Sequence, residues 1–305
     1  MNFVFKRVLL VAILLVPNIS YAWNKAGHMV SGAIAYRVLE QRDPAALKKI
    51  VSILRQHPAV SGLWERRLGE VAGAERGLFL FMYAARWPDD IRNTTESNER
   101  WHFINLPYVV PGSGVEGEPP SDKNIYVGFE ENIARFTATT SSVEDKAKAL
   151  CWLFHLVGDI HQPLHVATLF SKDFKEGDRG GTRFYVRVKE ESQSLSLHQL
   201  WDGFVIGTER FPSVRNVAFN LLQQHPAKTI PNLKETSYER WAKDESYPAA
   251  VRYAYQNGKL DGGIDKHDAP VLPKGYVAEN KVIADKRMVA AGNRLAAMLQ
   301  KLAEE

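Results

Sequence analysis

Apolar residues recur at helical spacing through most of this chain, and strict alternation is rare. A helix predicted over residues 78–86 should stop before Pro88, because the residue preceding a proline avoids helical geometry. One later run alternates, with Phe184, Val186 and Val188 on one face. The pattern predicts a mainly α, single globular helical domain with little β. The predicted elements are helices over residues 26–42, 44–56, 78–86, 128–138, 143–160, 214–224, 238–256 and 279–303, a short strand or hairpin edge over 183–189, and a surface loop over 111–124.

The most strongly patterned segment is the predicted helix over residues 143–160. It begins with charged residues and is then almost wholly apolar. A helix that is apolar on all sides belongs at the centre of a protein. We therefore expect the chain to fold around this helix.

The first 22 residues have the order of features found in a secretory signal peptide. Lys6 and Arg7 precede an apolar run, residues 8–16, and the segment ends on Ser20-Tyr21-Ala22. The apolar run is too short to anchor the chain in a bilayer. The alternative is a buried N-terminal helix. We expect residues 1–22 to be removed, leaving an exported chain, periplasmic or secreted, of one domain over residues 23–305 that begins at Trp23.

Composition narrows the chemistry that is open to the chain. Of 305 residues, 45% are hydrophobic and 24% are charged, which is ordinary for a globular protein and excludes disorder. The net charge of +4 is too small to indicate a nucleic-acid-binding tail. Cys151 is the one cysteine, so disulfides within the chain and cysteine-rich metal sites are excluded. Any metal site must use histidine and carboxylate.

Histidines and aspartates stand at ligand spacing in apolar surroundings. His155 and Asp159 are four residues apart on the central helix, so both project from one face. A buried aspartate is expensive unless it is paired or bound to a cation. Each feature has a plainer explanation as a buried hydrogen bond, but eight such side chains are too many for one tetrahedral metal and predict a cluster. The eight are His28, Asp89, His102, His155, Asp159, His165, His198 and Asp202.

The order of these residues and their flanking motifs resembles the secreted single-strand-specific zinc nucleases of the S-one/P-one type. Their superfamily also contains zinc-dependent bacterial phospholipase C. The resemblance covers residues 23 to about 202, and residues 241–246 fit more loosely. The motifs that carry it are Trp23…Gly27-His28, Trp87-Pro88-Asp89…Arg92, Trp101-His102-Phe103-Ile104-Asn105, the run from His155 to His165, Gly177-Asp178-Arg179-Gly180-Gly181, and residues 197–202 (LHQLWD).

The resemblance implies a phospholipase C/nuclease-like helical fold with a trinuclear zinc site. One zinc would be held by His28 and by the α-amino group and carbonyl oxygen of Trp23, which exist as a pair only after cleavage. Asp159 would bridge this zinc to the next. The remaining implied ligands are Asp89, His102 and His155 for the second zinc, and His165, His198 and Asp202 for the third.

The resemblance further implies a secreted zinc-dependent endonuclease and 3′-nucleotidase. It would cleave single-stranded DNA, RNA and 3′-mononucleotides and leave 5′-phosphate products. A metal cluster lowers the pKa of water and neutralises phosphate oxygens during in-line attack. Asp89 would orient the attacking hydroxide, and Arg92 would bind phosphate, although a helix-end surface arginine is the plainer alternative.

The substrate-binding residues implied by the resemblance are Phe103, Asn105 and Thr182. Phe103 would stack a base, and its alternative is a core aromatic. Asn105 stands where some members of the family have aspartate, and Thr182 where asparagine is common. Base preference therefore stays open.

Two other functions compete with the nuclease. A phospholipase C-like zinc phosphodiesterase would share the metals but act on phospholipid head groups. Asp202 ends the motif over residues 197–202 at a position where the phospholipase branch has glutamate. No amphipathic lid is evident in the sequence, so we expect no stable membrane association. A non-enzymatic zinc-binding protein would have the cluster without an open substrate position. No obligatory protein partner is implied. His57, His161, His225 and His267 match no ligand position and are expected to be structural or surface residues.

Overall fold

The computed structural model describes residues 23–305, and the predicted signal peptide lies outside them. The fold is mainly helical, as predicted. Its α-helices are α1 Lys25–Arg42, α2 Pro44–Leu54, α3 Glu65–Gly69, α4 Arg76–Asp90, α5 Ile125–Thr137, α6 Val143–Ile160, α7 Pro163–Val166, α8 Leu197–Asp202, α9 Phe211–Gln224, α10 Tyr238–Arg240, α11 Tyr247–Ala249 and α12 Tyr276–Leu302. Short 3₁₀-helices span Pro58–Ser61, Gly73–Glu75, Glu99–His102, Ala227–Thr229 and Gln256–Gly258, and π-helical turns span Trp241–Ser246 and Ala250–Ala254.

The central helix predicted from the sequence is α6, with the predicted bounds. The Ser142 hydroxyl caps it by accepting from the backbone N–H of Asp145, and acidic residues occupy the first turn, where they favour the helix dipole. Every residue from Ala149 to Ile160 is buried. Helix α6 packs against α4, α5 and α12, and α1 packs against α4 and α12. The core therefore closes around the helix that carries His155 and Asp159.

Helices α1 and α4 approach each other closely at Gly32. A Cβ atom built on Gly32 would lie 2.4 Å from the backbone oxygen of Phe81, well inside van der Waals contact. A residue without a side chain is therefore required at this crossing. The close approach places the N-terminal end of α1 and the C-terminal end of α4 against α6, so residues from three helices can share one site.

The predicted stop before Pro88 is wrong, because α4 continues through Pro88 to Asp90. Pro88 lies in the last turn of α4, and only Asp89 and Asp90 follow it in the helix. Tyr83, Ala84, Ala85 and Trp87 are all buried, and this packing outweighs the local preference of a residue that precedes proline. The consequence is that Asp89 is held on a helix rather than on a loop.

Two small sheets complete the fold. Strands β1 Leu106–Val109 and β2 Ala167–Phe170 are parallel, with Leu106 opposite Ala167. Strands β3 Tyr185–Val186 and β4 Leu195–Ser196 are antiparallel. The strand predicted over residues 183–189 is therefore real but shorter, and Val188 is exposed while Phe184 and Val186 are buried. Each strand of the parallel pair begins just after a predicted metal ligand, His102 or His165.

The helix predicted over residues 238–256 is interrupted. It consists of short α-helical segments joined by two π-helical turns, followed by a 3₁₀ turn. Helical periodicity detects the buried face of such a segment but not the extra residue that each π turn inserts. Among residues 23–305, no helix is both long enough and apolar enough to cross a membrane.

Candidate metal centre

Two helices bring the first group of ligand atoms together. His28 comes from α1, and His155 and Asp159 come from α6. Their ligand atoms all lie within 4.8 Å of one another, and all three residues are buried. His28 Nε2 is 3.2 Å from Asp159 Oδ1, and its ring stacks on His155 with 3.7 Å between centroids.

A second group shares His155 with the first. Asp89 enters from the end of α4 and His102 from the end of a 3₁₀-helix. Their ligand atoms and that of His155 also lie within 4.8 Å of one another. Asp159 Oδ2 is 3.0 Å from His102 Nδ1 and 3.1 Å from His155 Nε2. Asp159 therefore faces both groups, which is the position that a bridging ligand needs.

The third group joins His165 of α7 to His198 and Asp202 of α8. His198 Nε2 and Asp202 Oδ2 are 3.5 Å apart. His165 Nδ1 lies 3.6 Å from Asp159 Oδ1, so the third group adjoins the first two. The structure thus collects all eight predicted side chains into three adjoining, buried groups.

Trp23 lies between two of the ligand-bearing helices. Its indole Nε1–H donates to the carbonyl of Gly158 at 2.9 Å, and the N–H of the next residue, Asn24, donates to the carbonyl of Asp202 at 3.3 Å. Gly158 and Asp202 lie on α6 and α8 respectively. These two hydrogen bonds tie Trp23 and its neighbour to α6 and α8.

Seven ring-nitrogen and carboxylate-oxygen atoms of the eight side chains lack hydrogen-bond partners among residues 23–305. Buried polar atoms without partners are rare in folded proteins, and several in one cluster indicate that something polar belongs between them. A cation accepts electron pairs from neutral imidazole and from carboxylate, so this donor set fits a divalent metal such as zinc. The partnerless atoms are both ring nitrogens of His28, Nε2 of His102 and His165, Oδ1 of Asp159, and Oδ2 of Asp89 and Asp202.

Burial keeps most of the imidazoles neutral. It lowers the pKa of His165 to about 3 and that of His198 to about 4. It also lowers the pKa of His28, assisted by His155, and the pKa of His102. Neutral imidazole is the form that binds metal, because protonation occupies the donor electron pair. These four histidines therefore need no deprotonation near neutral pH before binding.

The carboxylates divide according to their neighbours. Burial acts to raise the pKa of Asp159, but His155 and His165 outweigh it and hold the pKa well below its usual range. The pKa of His155 is raised because Asp159 and Asp89 outweigh its burial. Burial raises the pKa of Asp202 well above normal, and this effect outweighs the hydrogen bond from Gln162 that acts to lower the pKa. Asp202 is thus the carboxylate whose ionised form most needs a cation.

Backbone carbonyls orient three of the imidazoles. The Nδ1–H groups of His155, His165 and His198 donate to the carbonyls of Ala85, His102 and Gly180 at 2.8, 2.5 and 2.6 Å. A carbonyl only accepts, so Nδ1 carries the proton and Nε2 is the free donor. Such outer partners fix the ring orientation of metal ligands.

The carbonyl of Gly180 depends on an unusual backbone. Gly180 has φ +61°, and a Cβ atom there would lie 2.3 Å from the carbonyl oxygen of Leu164. The carbonyl of the next residue, Gly181, accepts from the backbone N–H of His198 at 3.2 Å. Nearby, the buried Asp178 accepts from the N–H of Leu169 at 2.9 Å, and burial raises its pKa to about 7. The glycine motif therefore serves to hold His198.

Sequence reasoning missed one polar neighbour of the third group. The Gln162 side chain donates from Nε2 to Asp202 Oδ1 at 2.8 Å and accepts from the N–H of Leu164 at 2.5 Å. It lies inside the quoted run between Asp159 and His165. A glutamine directly before a helix-starting proline stands at the N-cap position, and this capping signal could have identified it.

The predicted substrate residues flank the cluster. Arg92 donates to Asp89 Oδ1 from Nε at 2.9 Å and from Nη2 at 2.8 Å, with only 15% of its side chain exposed. It is therefore part of the centre rather than a free surface arginine. Phe103 is 37% exposed, which argues against a core aromatic. Asn105, with φ +59°, follows on the same segment, and Thr182 follows the glycine motif that holds His198.

The remaining histidines lie outside the cluster. His57 is buried, stacks on Trp64 and meets Trp87 edge-on. His161 is buried against Arg294, 2.8 Å from Nη1 to Nε2. His267 is exposed.

Comparison with known proteins gives this arrangement its class. The chain matches the family described as S1/P1 Nuclease over residues 23–304. It is 25% identical to Endonuclease 4 of Arabidopsis thaliana, with 98% of this chain and 94% of the relative covered. It is 23% identical to Endonuclease 3 of the same plant, covering 97% and 95%, and 23% identical to Nuclease S1 of Aspergillus oryzae, covering 72% and 78%.

The match spans all the described residues but one, so the chain belongs to the S1/P1 nuclease family. The protein is accordingly a hydrolase of the nuclease class, which cleaves phosphodiester bonds. The nuclease prediction is confirmed at this level.

Proposed function

We propose that this protein is an exported zinc-dependent endonuclease and 3′-nucleotidase that hydrolyses single-stranded DNA and RNA to 5′-phosphate products. The observation that carries the proposal is the convergence of three buried histidine–aspartate groups in a chain of a nuclease family. Metal ions held by three adjoining groups would supply positive charge at the two places where phosphodiester hydrolysis needs it, the phosphate and the leaving oxygen.

Three zinc ions would occupy the cluster. His28, Asp159 and the processed Trp23 would hold one, and Asp159, Asp89, His102 and His155 a second. His165, His198 and Asp202 would hold the third. The partnerless ligand atoms and the neutral imidazoles support this assignment. When bound, zinc supplies an activated water near neutral pH and neutralises charge on the phosphate.

The protein's own residues would then position the reactants. Asp89 Oδ2, which lacks a partner among the described residues, accepts a hydrogen bond from the attacking water and aims it at phosphorus. Arg92 lies beside Asp89, and its guanidinium would bind the phosphate as negative charge builds. Both act on the phosphate, one through the nucleophile and the other through the equatorial oxygens.

Single-strand preference follows from base stacking. An exposed aromatic ring beside the cluster stacks on a base only if that base has left its own stack, which is easier for an unpaired strand. Phe103 has that exposure and follows His102 directly. Asn105 and Thr182 would contact the edge of the stacked base.

Export and activation are linked through Trp23. Removal of residues 1–22 would free an α-amino group at a residue that the structure fixes between Gly158 and Asp202. The uncut chain offers a peptide nitrogen there, which is a poor metal ligand. The first zinc site would therefore be complete only after processing.

The proposal is tested with purified protein that begins at Trp23. We expect chelator-sensitive hydrolysis of single-stranded DNA, RNA and 3′-mononucleotides, slower hydrolysis of duplex DNA, 5′-phosphate ends by mass spectrometry and three zinc ions per chain by elemental analysis. Asp202→Asn should lower the zinc count, whereas His225→Asn should not. Turnover of phosphatidylcholine vesicles without cleavage of nucleic acid would overturn the proposal.

A separate comparison isolates the terminal amine. Protein with one additional residue before Trp23 should bind less zinc and lose most activity. Equal zinc content and equal activity in the two forms would show that the α-amino group is not a ligand.

A further inference from the structure

Two neighbouring cavities lie along the segment that follows the third metal group. The first, about 500 Å³, is lined by Asn105, Thr168, Glu176, Arg179 and Arg183, among others. The second, about 480 Å³, is lined on the same side by Glu176 and Arg183 and continues to Lys172, Lys175 and Tyr185. Because they share Glu176 and Arg183, the two cavities form one path, which we call the Arg183 groove.

The groove begins beside the metal ligands. The N–H of Ile104 donates to the carbonyl of His165 at 2.9 Å, and from there β1 and β2 run in parallel. Asn105 and Thr168 stand at the start of these strands. On the other wall, Arg179 precedes Gly180, whose carbonyl orients His198. The near end of the groove is therefore continuous with the His165, His198 and Asp202 group.

The lining has the chemistry of a strand-binding path. Its four cations, Lys172, Lys175, Arg179 and Arg183, stand against three acids, Glu118, Asp173 and Glu176. Glu176 is exposed and pairs only loosely with Arg183, at 3.7 Å, so the guanidinium is available to a stronger anion. The Thr168 hydroxyl is buried and has no hydrogen-bond partner among residues 23–305. Tyr185 adds an aromatic ring at the far end, and cations interleaved with an aromatic are typical of single-strand binding.

We propose that the Arg183 groove binds the nucleotides on the 5′ side of the scissile bond, with a backbone phosphate on Arg183 and a base against Tyr185. The inference rests on the proposed function and adds to it that a metal held by His165, His198 and Asp202 would stabilise the leaving 3′-oxygen. That oxygen belongs to the upstream nucleoside, so a path that starts at the third group receives the strand towards its 5′ end.

The test compares extensions of one substrate. Wild-type KM is measured for cleavage at a defined bond in a deoxydinucleotide, in the same dinucleotide extended by two nucleotides at its 5′ end, and in one extended at its 3′ end. We expect the 5′ extension to lower KM by about two- to fivefold, which is the range of an exposed ion pair. Arg183→Ala should abolish this gain. Hydrolysis of a 3′-mononucleotide should not change.

Matched variants separate charge from structure. Arg183→Lys should keep most of the gain, and Arg240→Ala, which removes an exposed arginine outside the groove, should keep all of it. In wild type, the KM of the 5′-extended substrate should depend more steeply on salt, by about 0.7 in the logarithmic slope for each phosphate bound.

Two results would overturn the inference. One is an equal gain from 5′ and 3′ extensions with equal salt slopes in wild type, a measurement that needs no variant. The other is an Arg183→Ala protein that keeps the full 5′ gain. Failure of the proposed function looks different, since wild type would then cleave none of these substrates.

Discussion

At the scale of single residues, the fold buries the charged carboxylate of Asp159, which would be unstable there without its partners. Asp159 is fully buried and lies within 3.6 Å of nitrogens from His28, His102, His155 and His165. An isolated charge in that position would cost several kcal/mol. The imidazoles offset this cost, and a bound cation would take over their role while they act as ligands. The residue that is hardest to bury thus becomes the one that joins the groups.

Gly180→Ala should disable the third metal group. The substitution places a Cβ atom against the Leu164 carbonyl at a positive φ, so the loop must shift and carry its own carbonyl away from His198. We expect a loss of stability of about 1–3 kcal/mol and a fall in kcat/KM of about 100-fold. Zinc content per chain and urea denaturation measure the two effects. Gly207→Ala, where a Cβ meets nothing within 4 Å, is the matched control.

His57 should make the fold sensitive to mild acid. Burial lowers its pKa to about 4 from an unfolded value of 6.5, so the unfolded chain binds a proton that the folded chain resists. The contribution of neutral His57 to the free energy of unfolding is complete above pH 6.5 and is lost as the pH drops towards 4. Between pH 7.5 and 5 the loss is about 2 kcal/mol.

His57→Asn tests this directly. Asparagine can still cap the 3₁₀-helix that begins at Pro58, where His57 now accepts from the N–H of Ala59, but it does not titrate. The difference in unfolding free energy between pH 7.5 and 5 should therefore shrink relative to wild type. An unchanged difference would mean that other groups carry the acid sensitivity.

At the scale of elements, close helix crossings bring the ligands together. Gly32→Ala would force α1 away from the backbone of α4 at Phe81. We expect a destabilisation of about 2–3 kcal/mol in chemical denaturation, as for other overpacked cores. Weaker zinc binding should accompany it, since His28 lies one turn before Gly32 on α1 and would move with that helix relative to Asp159. Gly69→Ala, at a glycine with open space, should leave both properties near wild type.

The sequence predicts the elements well where burial follows one helical face. The bounds of α6 agree because Ser142 and the charged first turn mark its start. The error at Pro88 arises because the packing of Trp87 and Ala84 is tertiary and invisible to local rules. The π-helical turns after Arg240 are missed for the same reason, since they depend on how inserted residues pack rather than on a local signal.

The candidate site was partly predictable for a different reason. Histidine and aspartate in apolar surroundings are conspicuous, so all eight side chains could be named, and the structure gathers them. The groups that orient the ligands were not predictable. Every residue has a backbone carbonyl, so nothing in the sequence marks those of Ala85 and Gly180 as partners of histidines. Backbone groups enter a site through the fold alone, and Gln162 shows that a side chain is also overlooked when it supports a ligand instead of being one.

At the scale of the whole molecule, the cluster joins residues from both ends of a long stretch of chain. It links α1 through α8, so metal bound there would hold distant segments together. We expect removal of metal by a chelator to lower Tm by about 8 °C or more, which is about 4 kcal/mol of binding linkage for a domain of this size. Differential scanning fluorimetry with and without added zinc measures it. A Tm that does not depend on zinc would show that the fold is complete without metal.

Cys151 provides a chemical probe of the opening of the central helix. It lies fully buried in α6, and burial raises its pKa well above normal, so the reactive thiolate is absent from the folded state. Thiol reagents can therefore reach it only when α6 leaves its neighbours. Since the chain has no other cysteine, the rate of labelling at this one sulfur reports the opening of the central helix. The labelling rate of Cys151 therefore measures how often α6 opens, which is also the event that would release the bound metals.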